Sequence, residues 1–183
     1  MAMRLVVFDV GETFVDESRL WGEWADWLGV TRFTFFAALG AVIAAKRHHA
    51  EVFALVRPDI DLARERQARQ AKSNMTRIEA RDLYPDAVPA LTRLREAGLM
   101  IGLAGNQPEE AEDEIRALGL AVDFVASSAR WGVEKPNPAF FERLVAESAI
   151  APAEIAYVGD RIDNDVLPAI AAEMTGVFIR RGP

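Results

Sequence analysis

Five short apolar, β-favouring runs, each stopped by Gly, Asp, Ser or Arg, constrain this chain more than any other feature. They are residues 5–8 (Leu-Val-Val-Phe) before Asp9, 100–104 before Gly105-Asn106, 124–126 before two serines, 155–158 before Gly159-Asp160, and 176–179 before Arg180. Each run is continuously apolar rather than alternating, as a strand covered on both faces must be. Helical patterns over 88–97, 108–118, 138–148 and 164–172 separate them, each opened or closed by Gly, Pro or a capping side chain. Such alternation predicts an α/β fold: a doubly wound, mostly parallel, Rossmann-like sheet whose ligand crevice lies at the carboxyl ends of the strands.

Residues 17–83 break that rhythm with amphipathic helical patterns at 20–28, 33–46, 50–55 and 61–72. The expected organisation is an α/β core from 1–16 and 84–183, interrupted by a small all-helical cap at 17–83. Leaving after the first strand and returning before the second, the insertion is expected over the carboxyl end of the sheet, where a lid belongs. A chain of 183 residues with 51% hydrophobic and 27% charged residues has room for one core and such an insertion. Its net charge of −7 argues against a general nucleic-acid partner, whose phosphates need Lys and Arg. There is no cysteine, which removes disulfides and thiolate chemistry. The opening apolar run is too short for a signal peptide, and no run of 18 apolar residues occurs, so a cytoplasmic protein without a membrane partner is expected.

Chemistry-bearing residues gather at the strand ends. If the strands ending at Asp9 and Gly159-Asp160 are adjacent, the two carboxylates meet at one edge, a donor pair suited to a hard cation such as Mg²⁺. Asp165 follows Asp160 by five residues, and Lys135 stands in Gly-Val-Glu-Lys-Pro-Asn-Pro, where two prolines stiffen the loop before a helix. Singly, each has an ordinary reading as a turn former, a cap or a solvated charge.

Together these residues resemble the haloacid dehalogenase superfamily, in which Mg²⁺-dependent phosphatases are common. The correspondences are Asp9-Val10-Gly11-Glu12-Thr13 after the first strand, Ala104-Gly105-Asn106 after the second, Lys135-Pro136-Asn137-Pro138, and Gly159-Asp160 with Asp165. The resemblance implies a nucleophilic Asp9 that accepts a phosphoryl group, and Mg²⁺ held by Asp9, the Gly11 carbonyl and Asp160. It implies that Asp165 braces the metal's surroundings or Lys135, that Lys135 neutralises charge, and that Thr13, Gly105 and Asn106 line a site for a small phosphorylated metabolite.

Two positions depart from that pattern. Gly11 stands where the family's phosphatases carry a second Asp, the usual proton donor to the leaving oxygen. Gly105 stands where a Ser or Thr hydroxyl would hold the phosphoryl group. Restoring Gly11→Asp and Gly105→Thr is therefore expected to raise hydrolysis, the first chiefly for poor leaving groups. A weakened phosphatase, a binding or regulatory protein that keeps the metal site, and a 2-haloacid dehalogenase are the readings left open. Within the insertion, Trp21, Trp24 and Trp27 read as one buried helix face, and Arg64, Arg66, Arg69 and Lys72 as a solvated one. His48 and His49 receive no role. The strand at 176–179 is a possible exposed edge, and either a monomer or a homodimer fits.

Overall fold

The computed structural model describes residues 2–72 and 77–182. β1 (Leu5–Phe8) is followed by α1 (Ser18–Leu28), α2 (Arg32–Ala44), α3 (Glu51–Val56) and α4 (Leu62–Ala71). The chain continues with α5 (Ala87–Glu96), β2 (Met100–Gly105), α6 (Glu110–Ala117), β3 (Phe124–Ser127) and α7 (Ser128–Trp131). It ends with α8 (Pro138–Ser148), β4 (Ile155–Gly159), α9 (Leu167–Ala171) and β5 (Thr175–Phe178). All five strands pair in parallel, in the order β3-β2-β1-β4-β5. The fold is α/β and Rossmann-like.

β1 is central, with Leu5 level with Met100 on one side and Ile155 on the other. Because the three strands share this register and direction, their carboxyl ends, at Phe8, Gly105 and Gly159, lie along one edge of the sheet. The apolar runs form strands because both faces are covered: Leu5, Val7, Ile155 and Tyr157 pack with Phe140, Phe141 and Leu144 of α8, while Val6, Ala156 and Val158 face a second cluster with Leu94 and Leu99. Pro138 opens α8, and the Asn137 side chain accepts from the Ala139 N–H, satisfying one of the helix's free donors.

The helical pattern at 164–172 is realised differently. A π-helical turn over Ile162–Val166 precedes α9, and the Arg161 N–H ahead of it donates to Asp165 Oδ2 at 2.9 Å. α7, too short to leave a periodic signal, is capped by Ser127, whose side chain accepts from the Arg130 N–H.

The chain divides into two compact units, 1–16 with 78–182, and 17–77. Residues 78–83, grouped by sequence with the insertion, join the larger unit: the Asp16 N–H donates to Asp82 at 2.7 Å and the Tyr84 N–H to Phe14 at 3.2 Å. The smaller unit has its own core of Ala25, Phe35, Leu39, Val42, Val52 and Phe53, against which Trp21, Trp24 and Trp27 pack. The tryptophans are therefore part of a helix face turned to a core. Arg69 corrects the expected solvated face of α4: it is 1% exposed, its guanidinium 4.2 Å from the Trp24 ring centroid. The expected pattern reached Lys72, and residues 73–76 lie outside the described residues. Among the described residues no single helix is long and apolar enough to cross a membrane.

Candidate active site

Asp9 is the first residue after β1, its N–H tied to the Val158 carbonyl at 2.8 Å. Lys135 arrives from the loop before α8 and is 2% exposed. Its Nζ lies 2.7 Å from Asp9 Oδ1 and 2.6 Å from Asp165 Oδ1, bridging carboxylates contributed by opposite ends of the sequence. Asp160, the first residue after β4, completes the cluster: one carboxylate oxygen from each of Asp9, Asp160 and Asp165 lies within 4.8 Å of the others. Thr13 is buried, with its hydroxyl 3.4 Å from Asp160 Oδ1.

Lys135 is held from behind as well. Asn106 accepts from the Lys135 N–H and donates to the Lys135 carbonyl, both at 2.8 Å. The amide of Asn106, expected in the pocket lining, is engaged on the backbone that carries the lysine. Tyr157 supplies a wall that sequence reasoning missed, its ring centroid 5.3 Å from Nζ and its hydroxyl donating to the Ala104 carbonyl at 2.7 Å. A tyrosine inside an apolar strand looks like ordinary core; only its hydroxyl hints at a polar neighbour.

Three carboxylates face one ammonium, and the imbalance is visible in the acidities of Asp9 and Asp160. Burial, then repulsion from Asp165, holds the Asp9 carboxyl up at about 6 even against the pull of Lys135. Asp160 is pushed to about 8 by burial first and by Asp9 and Asp165 next. Burial works against the Lys135 charge, yet Asp165 and Asp9 together keep its pKa well above the ordinary lysine range. If all three acids ionise, two negative charges remain uncompensated. A hard divalent cation would supply the missing charge, and the donors are the oxygens such a cation prefers.

The loop between Val10 and Val15 carries Gly11, Glu12 and Thr13. It is pinned by the Phe14 and Val15 N–H groups, which donate to the Val10 carbonyl at 2.9 and 2.8 Å. Glu12, a conceivable stand-in for the absent acid, sits at φ 53° and accepts from the Tyr84 hydroxyl at 2.8 Å. Tyr84 in turn lies under the Arg181 guanidinium, 4.3 Å from the ring centroid. Arg181 donates to the Thr13 carbonyl at 2.7 Å and pairs with Asp86. Tyr84 and Arg181 thus brace the loop from outside.

The fold and this arrangement are those of a haloacid dehalogenase-like hydrolase. The model of that family matches residues 3–173, and the chain belongs to it. Glyceraldehyde 3-phosphate phosphatase of Methanopyrus kandleri is 43% identical over 103 residues, which cover 54% of this chain and 44% of that protein. Phosphoserine phosphatase of Thermus thermophilus is 35% identical over 103 residues, covering 55% of this chain and 41% of that one. The chain thus spans less than half the length of these two relatives. A HAD phosphatase from Thermococcus onnurineus shares the fold with a TM-score of 0.62 at 22% identity, over 97% of this chain and 86% of that one.

Proposed function

We propose that this chain is a Mg²⁺-dependent phosphatase acting on a small phosphorylated metabolite through an aspartyl-phosphate intermediate. The observation that carries the reading is the Lys135 bridge between Asp9 and Asp165 beside Asp160. Asp9 Oδ1 is committed to the lysine, leaving Oδ2 as the attacking oxygen. Its lone pair forms a bond to phosphorus while the bond from phosphorus to the leaving oxygen breaks, the leaving oxygen keeping the electron pair. Water then attacks the same phosphorus and releases Asp9, so that phosphate departs and the protons are exchanged with solvent. Lys135 holds Asp9 oriented and offsets charge on the phosphoryl oxygens. Asp9, Asp160 and the Gly11 carbonyl would hold Mg²⁺, with Asp165 and Thr13 fixing their surroundings. When bound, the ion supplies the charge that lets a carboxylate approach a phosphate dianion.

Gly11 offers no proton, and Glu12 is engaged by Tyr84. The reading therefore favours substrates whose leaving oxygen departs without one, and slow turnover of alkyl phosphates. General acid help is worth roughly 10²–10⁴ in rate, the gain expected for Gly11→Asp on an alkyl phosphate but not on an activated aryl phosphate. Metal-dependent hydrolysis of the aryl phosphate, abolished in Asp9→Asn with the fold intact, is the deciding experiment. A folded wild type that binds Mg²⁺ yet hydrolyses neither substrate transfers the case to a binding or regulatory protein. The three-acid cluster weighs against a dehalogenase, since displacement of halide from carbon makes no use of a divalent cation.

A further inference from the structure

We propose that Gly105, Gly159 and Gly182 are positioning residues, each leaving open the space in which one carboxylate of the site is seated: Asp9 by Gly105, Asp165 by Gly159 and Asp160 by Gly182. A Cβ built on Gly105, the last residue of β2, would fall closer than 3.0 Å to Asp9 Oδ1, with the Val10 N at 3.3 Å on its other side. That oxygen is the one Lys135 grips, so it cannot retreat without loosening the ion pair. A Cβ on Gly159, the last residue of β4, would come closer than 3.0 Å to Asp165 Cβ, Cγ and Oδ2, and Oδ2 is anchored by the Arg161 N–H. A Cβ on Gly182 would meet Asp160 Oδ2 inside the same limit and Glu12 Cβ at 3.0 Å.

Backbone freedom does not account for the first two, since only Gly182 of the three has a positive φ. The contrast with the turn glycines is sharp: Gly29, Gly98, Gly119 and Gly132 all have positive φ, and a Cβ there would meet nothing within 4 Å. Gly105 and Gly159 are glycines because a carboxylate occupies the place of their side chain. The glycine that looks like a lost hydroxyl is thus a seat for the nucleophile. Against the sequence-based expectation, Gly105→Thr lowers activity and Mg²⁺ affinity instead of raising turnover.

The consequence for turnover rests on the phosphatase reading, whereas the seating does not, so the decisive test reads stability in chelator. Thermal midpoints are measured for Gly105→Ala and Gly182→Ala, alone and combined with Asp9→Ala or Asp160→Ala. Gly105→Ala is expected to lower the midpoint by about 4 °C or more in the wild-type background and by little in Asp9→Ala, while keeping its full cost in Asp160→Ala. Gly182→Ala should show the opposite dependence; its φ strain is common to both arms of the cycle and cancels. Mg²⁺ titration of Gly105→Ala should show affinity lowered about tenfold or more, the scale of losing a group that orients a ligand. Should Gly105→Ala not fold, recovery of folding in the double variant with Asp9→Ala supports the seat, and failure of both overturns it. Additive cycles overturn it too. Coupled cycles in a protein that hydrolyses no phosphate would leave the seats standing and remove the phosphatase reading.

Discussion

Among the described residues each unit of this molecule buries one cation from solvent, Lys135 in one and Arg69 in the other, and the two are buried in opposite ways. In the α/β unit Lys135 meets two carboxylates at 2.6 and 2.7 Å, and its pKa is held well above the ordinary range despite burial. In the helical unit Arg69 lies on the Trp24 ring, with Glu23 at 3.9 Å, and burial lowers its pKa even against the pull of Glu23. Lys135 is a small point charge surrounded by opposite charge. Arg69 offers a flat, weakly hydrated guanidinium to an aromatic face, an arrangement suited to packing. Burial of a charge therefore does not by itself mark a reactive site.

The comparison can be broken by removing each cation in turn. Lys135→Met should cost about 3–5 kcal/mol of stability, because Asp9 and Asp165 are left buried without their counter-charge, and should reduce phosphatase turnover below detection. Denaturant unfolding and steady-state kinetics check the two. Asp160→Asn, which spares Lys135 but removes one carboxylate charge, should weaken Mg²⁺ binding by at least the roughly 10–100-fold that losing an outer-shell partner costs, measured by calorimetry.

The acids themselves predict a pH dependence. Asp9 at about 6 and Asp160 at about 8 stand well above the ordinary carboxylate range, so between about pH 4 and 8 the folded protein binds more protons than the unfolded chain. Stability of the metal-free protein should then fall as pH rises through that window, by about 5 °C or more in midpoint between pH 5 and pH 8. Added Mg²⁺ should recover most of the loss at pH 8. A flat midpoint in chelator would mean the carboxylates are not mutually strained. Smaller effects belong to the outlying partners. Arg69→Met should cost about 1 kcal/mol and leave Mg²⁺ affinity unchanged. Tyr84→Phe should cost about 1 kcal/mol through the lost Glu12 hydrogen bond, read by thermal unfolding.

The strands were legible because their causes are local. β1 begins and ends where the run of Leu, Val, Val and Phe does, and the Asp after it must leave the sheet edge. Asp9, Asp160, Asp165 and Lys135 were placed together by resemblance, and the structure brings them into one cluster. What stayed hidden depends on contacts between distant segments. Tyr157 reads as core until Lys135 is placed beside it. Asn106 reads as a pocket residue, and nothing around it in sequence shows that both ends of its amide reach the Lys135 backbone. Gly105 reads as a missing hydroxyl because a sequence lists what a residue lacks and not what occupies the vacated space. Arg69 fails for the same reason in the helical unit: period alone cannot distinguish a solvated arginine from one laid on Trp24.

The central position of β1 carries a consequence for how the molecule is made. Its partners along both edges, Met100 to Leu103 and Ile155 to Val158, are roughly a hundred and a hundred and fifty residues downstream. The middle strand of the sheet therefore leaves the ribosome first and waits longest, while the helical unit, whose packing is local in sequence, can form in the interval. High-separation pairing of this kind slows folding and leaves an apolar strand open to wrong partners. Until β2 and β4 have been made, Leu5–Phe8 has no strand of this sheet to pair with, and shielding those four residues during synthesis would protect the eventual site as well as the sheet.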